Sequence, residues 1–315
     1  MHLARAALTP LPTNPERVAD SALADLLTGY LAAPALDFAP STLYPQKLAA
    51  SCFIPLRSAA TPEFTKHMST NLIAVHLPDG AIREVPSGTT PLEIANSISP
   101  RLAAASIAAR IAPVSAVAVQ TSAAADNSHG QSADEAAMYA AEDAAAPRLV
   151  DLSAPLTSDT RLELVKENDP DALKIVRHSA AHVLATAVLE LFPETKLGHG
   201  PATDSGFFYD FYREKPFTPE DLVAIEAKMA DVVARNEPFI REYEPREQAL
   251  EEFARDGDFM KIHFVTKFTA PGDQVSFYRN GNFVDFCRGP HVPSTGRVKA
   301  FKVTSLAGAY WLGDE

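Results

Sequence analysis

The sequence predicts an α+β fold in two modules, and three observations predict it. Residues 72–111 read as strand, tight turn, strand, capped helix and strand. A long helical pattern with an apolar face then opens at Asn168-Asp169-Pro170 and runs to about Leu191. After it, aromatic and β-branched runs are separated by further capped helices as far as residue 315. With 315 residues and 46% apolar content, the chain can build more than one core.

Residues 1–67 are rich in Ala, Pro, Ser and Thr, with prolines at 10, 12, 15, 34, 40, 45, 55 and 62. That spacing breaks any long helix, and no sustained period appears, so the segment reads as a disordered or dispensable extension. Met68 is the expected true start of the folded chain.

From Leu72 to Leu77 a strand is expected, followed by a turn at Pro78-Asp79-Gly80 with Gly where positive φ is needed. Ala81 to Val85 returns. Thr90-Pro91-Leu92-Glu93 starts a helix with Thr at the N-cap, Pro at N1 and Glu closing a capping box. Ala105 to Ile111 and Leu162 to Val165 supply further strands. The result is a β-grasp-like module over 68–165, with a polar Ala/Ser/Asp/Glu surface insertion at about 121–147.

The second module spans 166–315. Asp169 is the expected cap and Pro170 the N1 residue of its first helix. Phe207, Tyr209 and Phe211 share one face of an expected strand over 206–212, and Phe208, Asp210 and Tyr212 the other. Thr218-Pro219-Glu220-Asp221 caps a helix to about Asn236, with acids at its positive end. A shorter helix covers Pro245 to Ala254, stopped by Asp256-Gly257-Asp258. Strands are expected at Lys261 to Val265, Val275 to Tyr278, Phe283 to Phe286 and Val298 to Ser305.

The net charge of −12 is shared by both modules, so neither is a basic arm for non-specific nucleic-acid binding. Two cysteines, Cys52 and Cys287, make no disulfide framework. No apolar run approaches the length of a membrane span, and the first residues lack a signal-peptide core. A reducing cytoplasm is the expected location.

The chemistry is concentrated in two short stretches. Arg177-His178-Ser179-Ala180-Ala181-His182 places two imidazoles at i, i+4 on one helix face. Asp285-Phe286-Cys287-Arg288-Gly289-Pro290-His291 puts a thiol and a third imidazole on a Gly-Pro turn. Three readings stand: His178, His182, Cys287 and His291 hold a tetrahedral zinc, they shape a metal-free pocket that aims a water at a substrate, or they are polar residues that fall together by chance. Asp285 and Lys261 are what acid–base chemistry uses, though each taken singly reads as a solvated surface charge, and the run through Tyr209 supplies an apolar wall. His67, His76, His129, His199 and His263 have no partner spacing and read as surface or loop residues.

These stretches resemble the threonyl-tRNA synthetase family. The resemblance rests on Arg177–His182, on the run from Gly200 to Asp210, on Asp285-Phe286-Cys287-Arg288-Gly289-Pro290-His291-Val292-Pro293, and on Ala307-Gly308-Ala309-Tyr310-Trp311-Leu312-Gly313-Asp314. Leu77-Pro78-Asp79-Gly80 fits the family's N-terminal TGS domain. Leu312 departs from the Arg expected there, and the front segment and the insertion are unlike the compact family start.

The resemblance implies a β-grasp TGS domain followed by the α+β editing (second additional) domain. It implies an aminoacyl-tRNA ligase family that joins threonine to its tRNA with ATP, and an editing portion that hydrolyses serine mischarged on tRNA(Thr). His178 and Lys261 are then implied to activate the water. His182, Cys287 and His291 shape the pocket, Asp285 takes the seryl amine, and Tyr209 lies beside it. No cofactor is required in this portion on that reading, with zinc on the four ligands as the alternative. ATP, Mg, a further Zn, the anticodon domain and any homodimer contact belong to a ligase core expected beyond residue 315. Two other readings remain: a stand-alone trans-editing deacylase, and a zinc-stapled RNA-binding module without catalysis.

Overall fold

The computed structural model describes residues 2–4, 71–114 and 146–309. Met68, Cys52, His67, His129, the insertion up to residue 145 and the Tyr310–Asp314 part of the last motif lie outside the described residues. Within the front segment expected to be irregular, His2–Ala4 (β1) form a strand; the remainder of 1–67 also lies outside.

The first module is a five-stranded mixed sheet built from β2 (Leu72–His76), β3 (Ile82–Pro86), β4 (Ser106–Pro113), β5 (Arg148–Val150) and β6 (Thr160–Lys166). The strand order is β3-β2-β6-β4-β5, with β2 and β6 parallel and the other pairs antiparallel. Gly80 takes φ +86° in the β2–β3 turn, as the Pro-Asp-Gly reading requires. Helix α1 (Pro91–Ile98) carries the expected capping box: Thr90 Oγ1 accepts from Glu93 N at 3.2 Å, and Glu93 Oε2 accepts from Thr90 N at 2.8 Å. Helix α2 (Pro100–Ala105) follows at once, capped by Ser99. Ile73, Val75, Ile94, Leu152 and Leu162 form the buried core between sheet and helix.

The second module is organised on α3 (Ala172–Leu191), whose middle is buried nearly all round. Its start is a correction: the helix begins two residues later than the Asp169–Pro170 signal predicts, and the N-cap residue Asp171 makes no side-chain cap. The physical reason is tertiary. Arg110 of β4 takes Asp171 Oδ2 at 2.6 Å, which draws that carboxylate off the helix end, while Asp169 Oδ1 accepts the Asp171 N–H at 3.0 Å and meets Arg110 at 3.3 Å, so Asp169 holds the turn before the helix.

The aromatic run is also shorter as a strand than expected. Ala202 and Phe207 make an isolated bridge, and only Phe211–Arg213 (β8) is regular. The predicted faces nonetheless hold: Phe207, Tyr209 and Phe211 are buried, and Phe208, Asp210 and Tyr212 are half-buried. Strand β8 pairs with β7 (Lys196–Leu197) and β1, and β1 pairs with β12 (Gly308–Ala309). Helix α4 (Pro219–Arg235) has the predicted Thr218 cap and ends at Asn236 in the left-handed region, φ +51°.

A three-stranded antiparallel sheet, β9 (Ile240–Pro245), β10 (Gln274–Asn280) and β11 (Phe283–Phe286), completes the module with α5 (Arg246–Arg255) and α6 (Phe259–Phe268). Helix α6 overturns the strand expected at Lys261 to Val265. Asp258, read as part of a stop, is instead its N-cap, its carboxylate accepting from Lys261 N at 3.1 Å. Met260, Lys261, Phe264 and Val265 are the buried stripe, a helical spacing that outweighs the β-rich composition. The strand expected over 298–305 is likewise absent. No ladder receives it: the Val303 N–H donates to Glu226 Oε2 at 2.9 Å, and Val303 and Phe301 pack on the core.

Candidate active site

The two chemistry-bearing stretches meet. Helix α3 holds His178 and His182 one turn apart, ring centroids 5.5 Å from each other. The turn after β11 brings His291 to 4.3 Å from the His178 ring and 4.2 Å from the His182 ring. With Cys287, one ligand atom from each of these residues lies within 4.8 Å of all the others. The turn admits only glycine at 289: φ is +70°, and an added Cβ would lie 1.9 Å from Tyr278 Oη.

Hydrogen bonds orient the rings. Ser179 Oγ donates to Ile175 O at 2.9 Å and accepts the Val292 N–H at 3.0 Å. Its one proton is thus used, and the 3.1 Å contact with His291 Nδ1 assigns the proton to that nitrogen. His291 Nε2 then faces Cys287 Sγ with its lone pair, at 3.4 Å. His178 is held by a hydrogen bond to the Pro290 backbone, and its Nε2 lies 3.2 Å from the same sulfur. Gly289 N–H donates to that sulfur at 3.3 Å. Phe239 stacks on His291 at 4.8 Å, closing one side of the cluster.

Next to this cluster is a buried charge pair. Lys261 Nζ donates to Asp285 Oδ1 and to Gly198 O, and Tyr209 Oη donates to Asp285 Oδ2. Lys261 and Asp285 are 3% and 4% exposed, so neither is a solvated surface charge. His182 Nε2 lies 3.8 Å from Asp285 Oδ2, and His182 Nδ1 is buried without a hydrogen-bond partner among the described residues. Arg177 ties the loop before Tyr209 to α3 through Thr203 O and Asp204 O, both at 2.9 Å. A cleft of about 750 Å³ reaches Lys261 and Asp285 between Leu197, Tyr243, Phe277 and Phe286; the three histidines and Cys287 do not line it.

Burial sets the protonation of the cluster. It pushes His178 down to about 3, aided by the His182 charge, and His182 down to about 3, aided by Lys261. It also holds His291 well below the ordinary imidazole range, and raises the Cys287 thiol to about 12. At neutral pH the site therefore holds three neutral imidazoles and a thiol. Such depressed imidazoles bind fewer protons folded than unfolded between pH 6.5 and about 3, so stability falls as pH falls through that window. Each unit of depression is worth about 1.4 kcal/mol. The melting temperature is expected to drop steeply from pH 7 to 4.5, with a shallower slope in His182→Gln. Parallel slopes in the two chains would show that His182 does not carry this dependence.

Every sequence-predicted site residue is in this assembly: His178, His182, Cys287 and His291 in the cluster, Lys261, Asp285 and Tyr209 against it. Three participants were not anticipated. Ser179 sits inside the recognised stretch as a small polar residue in a helix centre, which is a usable signal. Tyr278 and Asp151 carry none. Tyr278 Oη donates to Asp151 Oδ2 at 2.6 Å, and His291 N donates to Asp151 Oδ1 at 2.9 Å. Of the other histidines, His76, His199 and His263 are half-buried. His199 Nδ1 lies 3.7 Å from Asp210 Oδ2, and the His263 ring packs on Phe264.

Comparison with known proteins bears on this arrangement directly. The family model described as TGS domain matches residues 73–166, and that of the threonyl and alanyl tRNA synthetase second additional domain matches residues 275–310. The pair defines a class of chain: tRNA-synthetase modules, a β-grasp domain followed by an α+β domain. The chain is 63% identical over 243 residues to the threonine--tRNA ligase of Acidobacterium capsulatum, covering 77% of this chain and 36% of that protein. It is 41% identical over 244 residues to that of Verminephrobacter eiseniae, and 42% over 243 residues to that of Pelobacter propionicus. These cover 77% of this chain and 33% and 32% of the relatives. The chain belongs to the threonine--tRNA ligase family, spanning about a third of the length of these relatives. Among the described residues no helix is long and apolar enough to cross a membrane.

Proposed function

We propose that this chain hydrolyses serine from mischarged tRNA(Thr), as the editing portion of a cytoplasmic enzyme that ligates threonine to tRNA with ATP. The observation that carries the reading is the meeting of the half-buried His178 and the buried His182, Cys287 and His291 with the buried Lys261–Asp285 pair at one site. Serine differs from threonine by one methyl, and such a difference gives only about 1–3 kcal/mol of discrimination in a binding pocket, so a second, hydrolytic sieve is chemically called for. The parent's ATP and Mg sites, a further Zn, the anticodon domain and dimer contacts belong to the rest of the ligase.

The residues suit attack by water on an activated ester. With the thiol proton given to His291 Nε2, the neutral His178 Nε2 is available to take a proton from water. The water oxygen bonds to the seryl carbonyl carbon, and the Lys261 ammonium steadies the oxyanion. The ester C–O bond then breaks, the ribose oxygen takes the proton from His178, and serine leaves. His182, Cys287 and His291 wall the pocket. Asp285, its two oxygens taken by Lys261 and Tyr209, is better suited to holding Lys261 than to capturing the seryl amine first assigned to it.

The same donors fit zinc: three imidazoles and one thiol within 4.8 Å, with His182 Nδ1 lacking a partner among the described residues. A bound zinc would act as a Lewis acid and lower the thiol's proton affinity. The deciding experiment is single-turnover deacylation of seryl-tRNA(Thr) and threonyl-tRNA(Thr), with chelator and with metal analysis. Faster loss of serine, insensitive to chelator, is expected. Background decay of both esters would leave a zinc-stapled RNA-binding module standing. Stoichiometric zinc whose removal abolishes activity would overturn the metal-free assignment. A stand-alone deacylase acting in trans uses the same chemistry and is separated from the fragment reading by the coding sequence downstream of Glu315.

A further inference from the structure

We infer that the TGS module is a working part of this hydrolytic site, through Asp151 as a positioning residue for the turn that carries Cys287 and His291. The inference rests on the reading of the site given above. Asp151 directly follows β5 of the five-stranded sheet, yet its side chain is directed into the second module and is buried, 6% exposed. Both carboxylate oxygens are used there. Oδ1 accepts the backbone N–H of His291 at 2.9 Å, and Oδ2 accepts the Tyr278 hydroxyl at 2.6 Å.

The two bonds grip the turn from opposite ends. One fixes the peptide of His291 itself. The other fixes Tyr278 Oη, which sits so close over Gly289 that no Cβ fits, and the Tyr278 ring lies 4.4 Å from the His291 ring. The positions of His291 Nε2 and Cys287 Sγ therefore depend on a carboxylate supplied by another module. Arg241, whose charge acts on Asp151, also donates to Ser276 Oγ at 3.4 Å, and Ser276 Oγ donates to Cys287 O at 2.6 Å. The sheet is docked by further bonds: Arg110 to Asp169 and Asp171 at the start of α3, and Arg297 Nη2 to Ala104 O at 2.7 Å and Ser106 O at 2.8 Å. A single carboxylate thus links the β-grasp core to the His291 peptide on the turn and to the Tyr278 hydroxyl packed over Gly289, adding to the bond by which Cys287 Sγ accepts the Gly289 N–H.

Asparagine at 151 has one acceptor oxygen where two are needed, and its amide must face a donor. The test uses the whole chain with Asp151→Asn, Asp151→Ala and Tyr278→Phe. Single-turnover rates and half-saturating chain concentration on seryl-tRNA(Thr) are measured, together with ¹⁵N imidazole spectra of the labelled chain. Asp151→Asn is expected to lower the maximal rate about 10- to 100-fold with less than about threefold change in half-saturation, the mark of lost orientation rather than lost binding. Tyr278→Phe is expected to do so by a smaller factor. The His291 ring resonances are expected to move in both. Should Asp151→Ala fail to fold, Asp151→Asn, of equal volume, carries the same test. A folded Asp151→Asn chain with the parent's rate, or with unmoved His291 resonances, would overturn the inference. Should the parent chain itself not deacylate, the functional reading fails, and the His291 resonances still decide whether Asp151 sets the turn.

Discussion

Replacing His178 by alanine is expected to lower deacylation of seryl-tRNA(Thr) by about 10²- to 10⁴-fold, the range of a lost general base, while leaving the chain folded. Cys287→Ala is expected to cost less, under about tenfold, the worth of one hydrogen bond. His178 is fixed on a helix and by the Pro290 backbone, and its imidazole is neutral at working pH. A base so placed is rigid and ready, as a water-orienting group must be. Cys287 is opposite in character. Burial raises its thiol to about 12, so no thiolate is available for attack. Its part is to accept the Gly289 N–H and to separate the His178 and His291 nitrogens. Equal losses in the two variants, or a seryl-thioester trapped on Cys287, would sink this division of roles and leave the family assignment intact.

Asp285→Ala is expected to be the most destabilising single change at the site, costing about 3–5 kcal/mol because it strands a buried ammonium. Among the described residues Lys261 Nζ donates, besides that carboxylate, only to Gly198 O at 3.0 Å, and Tyr209 Oη loses Asp285 Oδ2 as an acceptor in the same change. Replacing the pair together, Lys261→Met with Asp285→Leu, is expected to recover most of the loss, since apolar groups of similar volume leave no charge unpaired. Urea unfolding of the three chains decides it. A single-variant loss under about 1 kcal/mol, the size of an exposed ion pair, would mean that water reaches Lys261 freely. Activity is expected to stay lost in the double variant, because the oxyanion partner is gone.

Both expectations depend on residues whose identity was legible before their surroundings were. His178 and His182 could be placed on one face because helical spacing is local, and the Gly-Pro turn could be placed because φ +70° at Gly289 belongs to glycine. Lys261 was singled out but set on a strand. Its neighbours Phe264 and Val265 have β-rich composition, and only the packing of Met260, Lys261, Phe264 and Val265 on one side reveals a helix. The same helix starts at a residue, Asp258, that reads equally well as a stop. Asp285 looked like a surface charge because burial of a carboxylate depends on partners far away in the chain.

What the amino-acid order by itself determined is what needs only near neighbours. The Thr90 and Thr218 capping boxes, the Pro78-Asp79-Gly80 turn, the alternation of Phe207, Tyr209 and Phe211, and the two His/Cys stretches are all of this kind. Contacts made over large separations were decided only by the tertiary structure: Asp151 against His291, Arg110 against Asp171, Lys261 against Asp285, and Glu226 against the Val303 N–H. The physical reason is that a carboxylate or an ammonium carries no spacing signal of its own. Whether it caps a helix, meets solvent or is buried against a partner is set by which groups folding places beside it, since an unpaired buried charge costs more than any local preference can offset.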